Sequence, residues 1–149
     1  MIKPSEISKI GCGGCPLGGH GWGNTDKLEM QKVVEECIDS GINFIDTSDT
    51  YGLGKSERLI GNAIKNKKRD EYFVSTKFGV RYNQNTKKTS FDNSDEWFWT
   101  SLHSSLKRLK LDCIDLYQIH YWDEKTKIDD IFDNLDKATR QGKIRFSGV

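Results

Sequence analysis

Four side chains able to do acid–base chemistry each stand at or just past the C-terminal end of a short apolar run: Asp46, Tyr51, Lys77 and His120. The runs read INFIDT, EYFVSTK and DCIDLYQIH. A lone ionisable group is costly inside a core, and strand ends are where barrel folds keep their chemistry. A free tyrosine has a pKa near ~10, and a lysine cation within ~4–6 Å favours its phenolate and lowers that value. A carboxylate beside the lysine holds it charged and in place. A histidine at the same mouth orients a carbonyl oxygen by a hydrogen bond. Together the four make a proton donor with an oxyanion pocket, a set suited to carbonyl reduction. The hydride must come from a cofactor, because no side chain supplies one. Taken singly, each residue has a plain reading. Asp46 in DTSDTYG serves as a cap or turn residue, Tyr51 packs over Gly52, Lys77 points to solvent, and His120 is a core histidine satisfied by backbone. Their shared position at one end of the strand set favours the joint reading.

The elements that must carry these residues alternate between two periods of apolar spacing. A glycine-rich stretch, KIGCGGCPLGGHGWG, is followed by an expected helix from Leu28 to Ser40. Met30, Val33, Val34, Cys37 and Ile38 lie on its inner stripe, Asp26 and Glu29 cap its start, and Gly41 ends it. Strands are expected at Ile42–Thr47, Tyr72–Lys77 and Cys113–His120, and one more begins at Lys143. Helices are expected at Ser56–Asn66, Asp95–Lys110 and Ile128–Gln141, the last with Ile131, Phe132, Leu135 and Ala138 facing inward. Strand–helix alternation implies a parallel sheet with right-handed crossovers. The polar segment Phe78–Ser94 follows a strand end. It reads either as a loop over the mouth of a barrel or as a disordered insertion.

With Ile7–Cys12 as a first strand, the chain holds about five parallel strands and four helices, a partial α/β barrel. A closed (β/α) barrel takes eight strands and typically ~250 residues, whereas the 149-residue sequence stops inside its fifth strand, at FSGV. The expectation is a truncated part of one barrel domain spanning 1–149. The alternative is a half-barrel that closes by dimerisation, in which case an oligomer forms.

Apolar residues make up 35% and charged residues 30%, with four Trp, seven Phe and five Tyr, a polar but foldable composition. A net charge of +1 argues against nucleic acid as a partner. No apolar run approaches the ~20 residues of a membrane span, and no leader pattern opens the sequence, so a cytoplasmic protein with no membrane partner is expected. Cys37 and Cys113 read as small core residues. Cys12 and Cys15 form a C-x-x-C whose sharper readings are a redox dithiol or half a metal site. No second such pair follows, so the plainer reading is a glycine-rich strand end and no metal is expected. His20 is a weak third ligand candidate.

Several stretches taken together resemble the N-terminal half of the aldo-keto reductases. Asn43-Phe44-Ile45-Asp46-Thr47, followed by Tyr51-Gly52 and Ser56-Glu57, is similar to that family's first signature. Val74-Ser75-Thr76-Lys77 resembles its lysine strand, and Ser105-Leu106-Lys107-Arg108-Leu109 with Ile114-Asp115-Leu116-Tyr117-Gln118-Ile119-His120 resembles its histidine strand and the helix before it. Gly142-Lys143-Ile144-Arg145 with Gly148-Val149 looks like the start of the strand after that. The resemblance implies an eight-stranded (β/α) barrel and an NADPH-dependent reductase of aldehydes and ketones. NADH is left open as an alternative cofactor, and the partner is a small-molecule carbonyl substrate. By that likeness Tyr51 is the general acid, Lys77 and Asp46 tune it, and His120 orients the substrate. Asp46 lies near the nicotinamide ribose, the backbone around Gly14 and Cys15 approaches the cofactor, and Tyr121 and Trp122 line the substrate mouth. Two further readings stand beside this one. One is a non-catalytic cofactor-binding or scaffold fragment of the same fold, and the other a thiol-redox or metal protein built on Cys12 and Cys15.

Overall fold

A computed structural model describes residues 1–19, 22–23 and 26–149. His20 lies outside the described residues. Five parallel strands form one open sheet: β1 (Gly11–Gly13), β2 (Phe44–Asp46), β3 (Phe73–Phe78), β6 (Ile114–Ile119) and β7 (Ile144–Gly148), adjacent in that order. Helices α1 (Lys27–Asp39), α2 (Lys55–Ala63), α3 (Asp95–Leu109) and α4 (Ile128–Arg140) form the crossovers. β4 (Val80–Asn83) and β5 (Lys88–Phe91) make a separate antiparallel hairpin between β3 and α3. The expected partial barrel of five strands and four helices is the observed architecture.

Local chemistry accounts for the boundaries. The Asp26 carboxylate accepts from the backbone N–H groups of Leu28 and Glu29 at 2.8 and 3.0 Å, satisfying two donors that α1 cannot pair internally. Gly41 stops the helix at φ +85°, a conformation glycine adopts without steric cost. α3 is capped by Ser94, whose hydroxyl accepts from Trp97, and its last turn carries Lys107 and Arg108 against the negative end of its dipole.

Three sequence expectations need correction. The first strand is Gly11–Gly13 rather than Ile7–Cys12. Before it, Ser8 and Asn43 exchange side-chain hydrogen bonds with each other's backbone, at 2.8 and 3.1 Å, in place of ladder bonds. Val33 and Phe132 do not face inward, being 41% and 45% exposed. Each helix turns 100° per residue, so the covered sector takes Val34 and Ile131 but not their neighbours. Phe78–Ser94 is neither a plain loop nor disordered: Val80 pairs with Phe91 and Asn83 with Lys88. The Asn93 side chain ties the hairpin base to the loop after β6, accepting from Asp123 N–H at 2.7 Å and donating to the Tyr121 carbonyl at 3.2 Å.

The apolar core lies between sheet and helices, around Val34, Ile45, Ile60, Val74, Phe98, Leu102, Ile114, Ile131 and Leu135. Polar groups are threaded through it. Glu57 of α2 is fully buried and takes a 2.5 Å hydrogen bond from Arg108 Nε of α3 and a 2.7 Å bond from Thr76 Oγ1 of β3. At the opposite end of the strands, buried Asp115 accepts from Arg69 and Arg145 at 2.6 Å each and from Val74 N–H at 2.9 Å. Removing one partner of such a pair strands the other charge in the interior. Glu57→Ala is therefore expected to destabilise the fold by about 3–5 kcal/mol, read as a lowered urea midpoint; an unchanged midpoint would show that Arg108 reaches solvent freely.

Candidate active site

Parallel register places the site. Asp46, the last residue of β2, lies opposite Ser75 of β3. Lys77 is two residues further on and therefore on the same face as Ser75, one step nearer the strand end. Its ammonium donates to both carboxylate oxygens of Asp46, at 2.7 and 2.8 Å, and to the Thr47 carbonyl at 2.9 Å. All three N–H bonds are thus used, and the side chain is only 15% exposed. Lys77 Nζ lies 5.5 Å from the Tyr51 ring centroid. The Tyr51 and His120 rings meet edge to face at 5.9 Å and 84°. Four residues from three strand ends share one mouth.

Tyr51 sits in a tight turn before α2, its N–H on the Ser48 carbonyl at 3.2 Å. The next residue, Gly52, has φ +60°, and a Cβ there would fall 2.3 Å from the Gly18 carbonyl oxygen. Only glycine permits that backbone approach, which clamps the Tyr51 turn against the loop after β1. A second clamp lies beneath: the Ser56 hydroxyl donates to the Gly14 carbonyl at 2.8 Å and lies 2.8 Å from Thr47 Oγ1. Gly14 is buried, and a Cβ on it would meet the Asp46 carbonyl oxygen and Ser56 Oγ at 2.7 Å. Its glycine is required by protein packing. Gly13 is the open position, with nothing within 4 Å of a Cβ. Cys15 is exposed.

The electrostatics depart from one expectation. The Tyr51 phenol is pushed up, not down, by burial first, then by Asp46, Cys15 and Tyr121. Lys77, paired with Asp46, is not among the groups that shift the phenol. Tyr51 keeps its proton throughout the neutral range. His120 is lowered by burial and by Lys77, against a raising contribution from Asp46, so it is a neutral imidazole at pH 7. Its Nδ1 lies 3.1 Å from Ser48 Oγ.

Tyr121 stacks on His120 at 4.9 Å, and Phe91 of the hairpin stacks on Tyr121 at 5.0 Å, so the hairpin reaches the mouth. Trp122, the next residue, is exposed and donates its indole N–H to the Thr126 carbonyl at 2.9 Å. A cleft of about 1070 Å³ is bordered by Thr50, Gly52, Arg58 and Tyr82 but by none of the four site residues. The C-x-x-C is split: Cys12 is buried, its thiol pushed up to about 12 by burial first and then by neighbouring Cys37, while Cys15 faces solvent. No cluster of three or more His, Cys, Asp or Glu able to hold a metal occurs among the described residues. Sequence reasoning missed Ser48 and Asp49, which it had seen only as part of DTSDTYG; a polar pair between a strand end and the key tyrosine was the available signal.

Residues 9–149 match the Aldo/keto reductase family. The chain belongs to the aldo/keto reductases. The uncharacterized oxidoreductase YqkF of Bacillus subtilis is 33% identical over 144 residues, covering 97% of this chain and 45% of that protein. The aldo-keto reductase yakc [NADP(+)] of Schizosaccharomyces pombe is 39% identical over 129 residues, 86% of this chain and 38% of that protein. Among solved structures, a glycerol dehydrogenase from Gluconobacter oxydans superposes with TM-score 0.86 at 35% identity, covering 96% of this chain and 44% of that chain. This aldo/keto reductase chain therefore spans about half the length of the relatives it matches.

Lys77 and Asp46 act on His120 with opposite sign, which makes a direct test possible. Lys77→Met removes one lowering charge and leaves Asp46, so the His120 pKa is expected to rise toward its ordinary value, with burial still holding it below. An NMR titration of the imidazole carbons reads this, and an unmoved midpoint would show that burial alone sets the ring.

Proposed function

We propose that the protein is an oxidoreductase that reduces an aldehyde or ketone to an alcohol with NADPH. The observation that carries this reading is the convergence of a protonated phenol, a carboxylate-held ammonium and a neutral imidazole at one mouth, with Nζ 5.5 Å from the Tyr51 ring and the two rings 5.9 Å apart. The residues present fit a nicotinamide nucleotide. Asp46 keeps a 34% exposed carboxylate for a ribose hydroxyl, and Gly13 and Cys15 leave an open surface at the end of β1. A nicotinamide held there would supply the hydride for the carbonyl carbon. Tyr51 Oη gives its proton to the carbonyl oxygen as negative charge develops there, so hydride plus proton account for the alcohol. Lys77, held on Asp46 and Thr47, keeps positive charge beside the phenol as it becomes phenolate. His120 fixes the direction of the carbonyl oxygen, and Tyr121 forms one wall of the mouth. Trp122, which follows Tyr121 in the loop after β6, is proposed as a second lining residue of the mouth.

The NADP(+) in the name of the fission-yeast relative supports NADPH as the cofactor. The five described strands are proposed as part of a single eight-stranded barrel, since β1 and β7 are paired on one side only and the relatives are about twice as long. Reduction is assigned to the completed barrel. No helix among the described residues is long and apolar enough to cross a membrane, which is consistent with a cytoplasmic enzyme.

Tyr51→Phe keeps the ring and its packing but removes the proton. In the completed barrel it is expected to lower turnover of a generic aromatic aldehyde by about 10²–10⁴-fold while NADPH affinity, read by fluorescence titration, stays the same. Undiminished turnover would overturn the role of Tyr51. NADPH binding without turnover in the unsubstituted barrel would favour a cofactor-binding scaffold.

A further inference from the structure

Ser48 is the hub of a short polar chain behind His120. Its hydroxyl oxygen lies 3.2 Å from Asp49 Oδ1 and 3.1 Å from His120 Nδ1, and it accepts from Thr50 N–H at 3.2 Å. Thr50 Oγ1 is 3.0 Å away. A serine has one proton to give, so it cannot donate to Asp49 and to His120 at once. Whichever it chooses dictates the tautomer of the neutral imidazole, because the hydrogen bond at one ring nitrogen decides where the N–H sits.

We propose that Asp49 is a positioning residue that sets the His120 tautomer through Ser48 and thereby switches the group His120 presents to the substrate carbonyl. With Asp49 protonated, its O–H donates to Ser48, Ser48 donates to Nδ1, and Nε2–H points into the mouth as a donor. With Asp49 ionised, it only accepts. Ser48 turns its proton to Asp49, Nδ1–H donates to Ser48, and Nε2 is left a bare acceptor that repels a carbonyl oxygen. The two states differ by one proton, which leaves Asp49 and is released to solvent; the imidazole stays neutral in both.

The surroundings allow this within the neutral range. Asp49 is pushed up to about 7, by burial first and then by Glu57 of α2, against lowering by Ser48, by Arg108 of α3 and by Thr50 N–H. Glu57 and Arg108 are themselves paired at 2.5 Å, so their opposed effects on Asp49 are locked together. Tyr117 of β6, whose buried hydroxyl has no protein partner, lies within reach of the Asp49 charge and is pushed well up by burial, so it stays neutral. On the His120 side the charged groups are Lys77 of β3 and Asp46 of β2, which leave the ring uncharged at pH 7.

The tautomer is independent of catalysis, whereas its effect on substrate binding rests on the reductase reading. The full chain, labelled with ¹⁵N-histidine, is to be followed by long-range ¹H–¹⁵N NMR from pH 6 to 8.5, with His120 assigned by its loss in His120→Gln. The Nε2–H form is expected to dominate at the acidic end and to give way to Nδ1–H as pH rises through about 7. Asp49→Asn and Ser48→Ala should each make the ratio independent of pH. A ratio that does not move in the unsubstituted protein, or that moves equally in both variants, would overturn the proposal. In the completed barrel, KM for an aldehyde should rise about tenfold across the same range, the equivalent of one lost hydrogen bond, and kcat should change less. Absence of turnover with the NMR switch intact would count against the reductase assignment alone; turnover with KM flat across the switch would overturn the substrate-orienting half of the proposal.

Discussion

The site depends on one ammonium group having all three of its protons spoken for. Lys77 is held by two oxygens of Asp46 and by the Thr47 carbonyl. That arrangement requires β2 and β3 to be parallel and in register at Asp46 and Ser75, because a slip of one residue would turn Lys77 to the other face of the sheet. Charge-assisted bonds of this kind are strong and directional. They fix the cation beside Tyr51, while burial of the phenol, its largest influence, raises it. In the proposed reaction, an acid that keeps its proton until a carbonyl oxygen becomes basic suits proton donation better than one already ionised.

Beneath that pair the polar side chains form a second layer that aims the first. Glu57 joins α2, α3 and β3 through Arg108 and Thr76. Ser56 joins α2 to the loop after β1 and to Thr47. Burying an ion pair is a weak source of net stability, since desolvation offsets much of the attraction. Its value here is positional: the start of α2, and with it the Tyr51 turn, has one set of partners and one place to sit. Asp115, with its two arginines, does the equivalent work at the far end of the strands, so both rims of the sheet are pinned by charge and its middle by apolar packing.

The hairpin of β4 and β5 gives the mouth its outer edge. Phe91, Tyr121, His120 and Tyr51 form a continuous run of ring contacts from the hairpin to the end of the sheet. A segment that is polar and exposed along most of its length thus places one aromatic against the mouth.

Much of this was legible in the amino-acid order. Alternating periods of apolar spacing gave the five strands and four helices to within a few residues, because periodicity reports which face of an element is buried. The positions of Asp46, Tyr51, Lys77 and His120 at strand ends followed from the same pattern. Pairings across space were not legible. The sequence shows a lysine and a carboxylate but not that Thr47 takes the third proton, nor that Cys15 and Tyr121 crowd the phenol. It shows a polar segment after β3 but not that it pairs as a hairpin, nor that Asn93 at its base meets a loop 30 residues away. Nor does it show that Ser48, beside Asp49, reaches His120, 72 residues further on. Composition and spacing determine which groups arrive at the rim; only the packed structure decides which of them share a proton, because hydrogen bonds depend on distances of a few tenths of an ångström that no local pattern encodes.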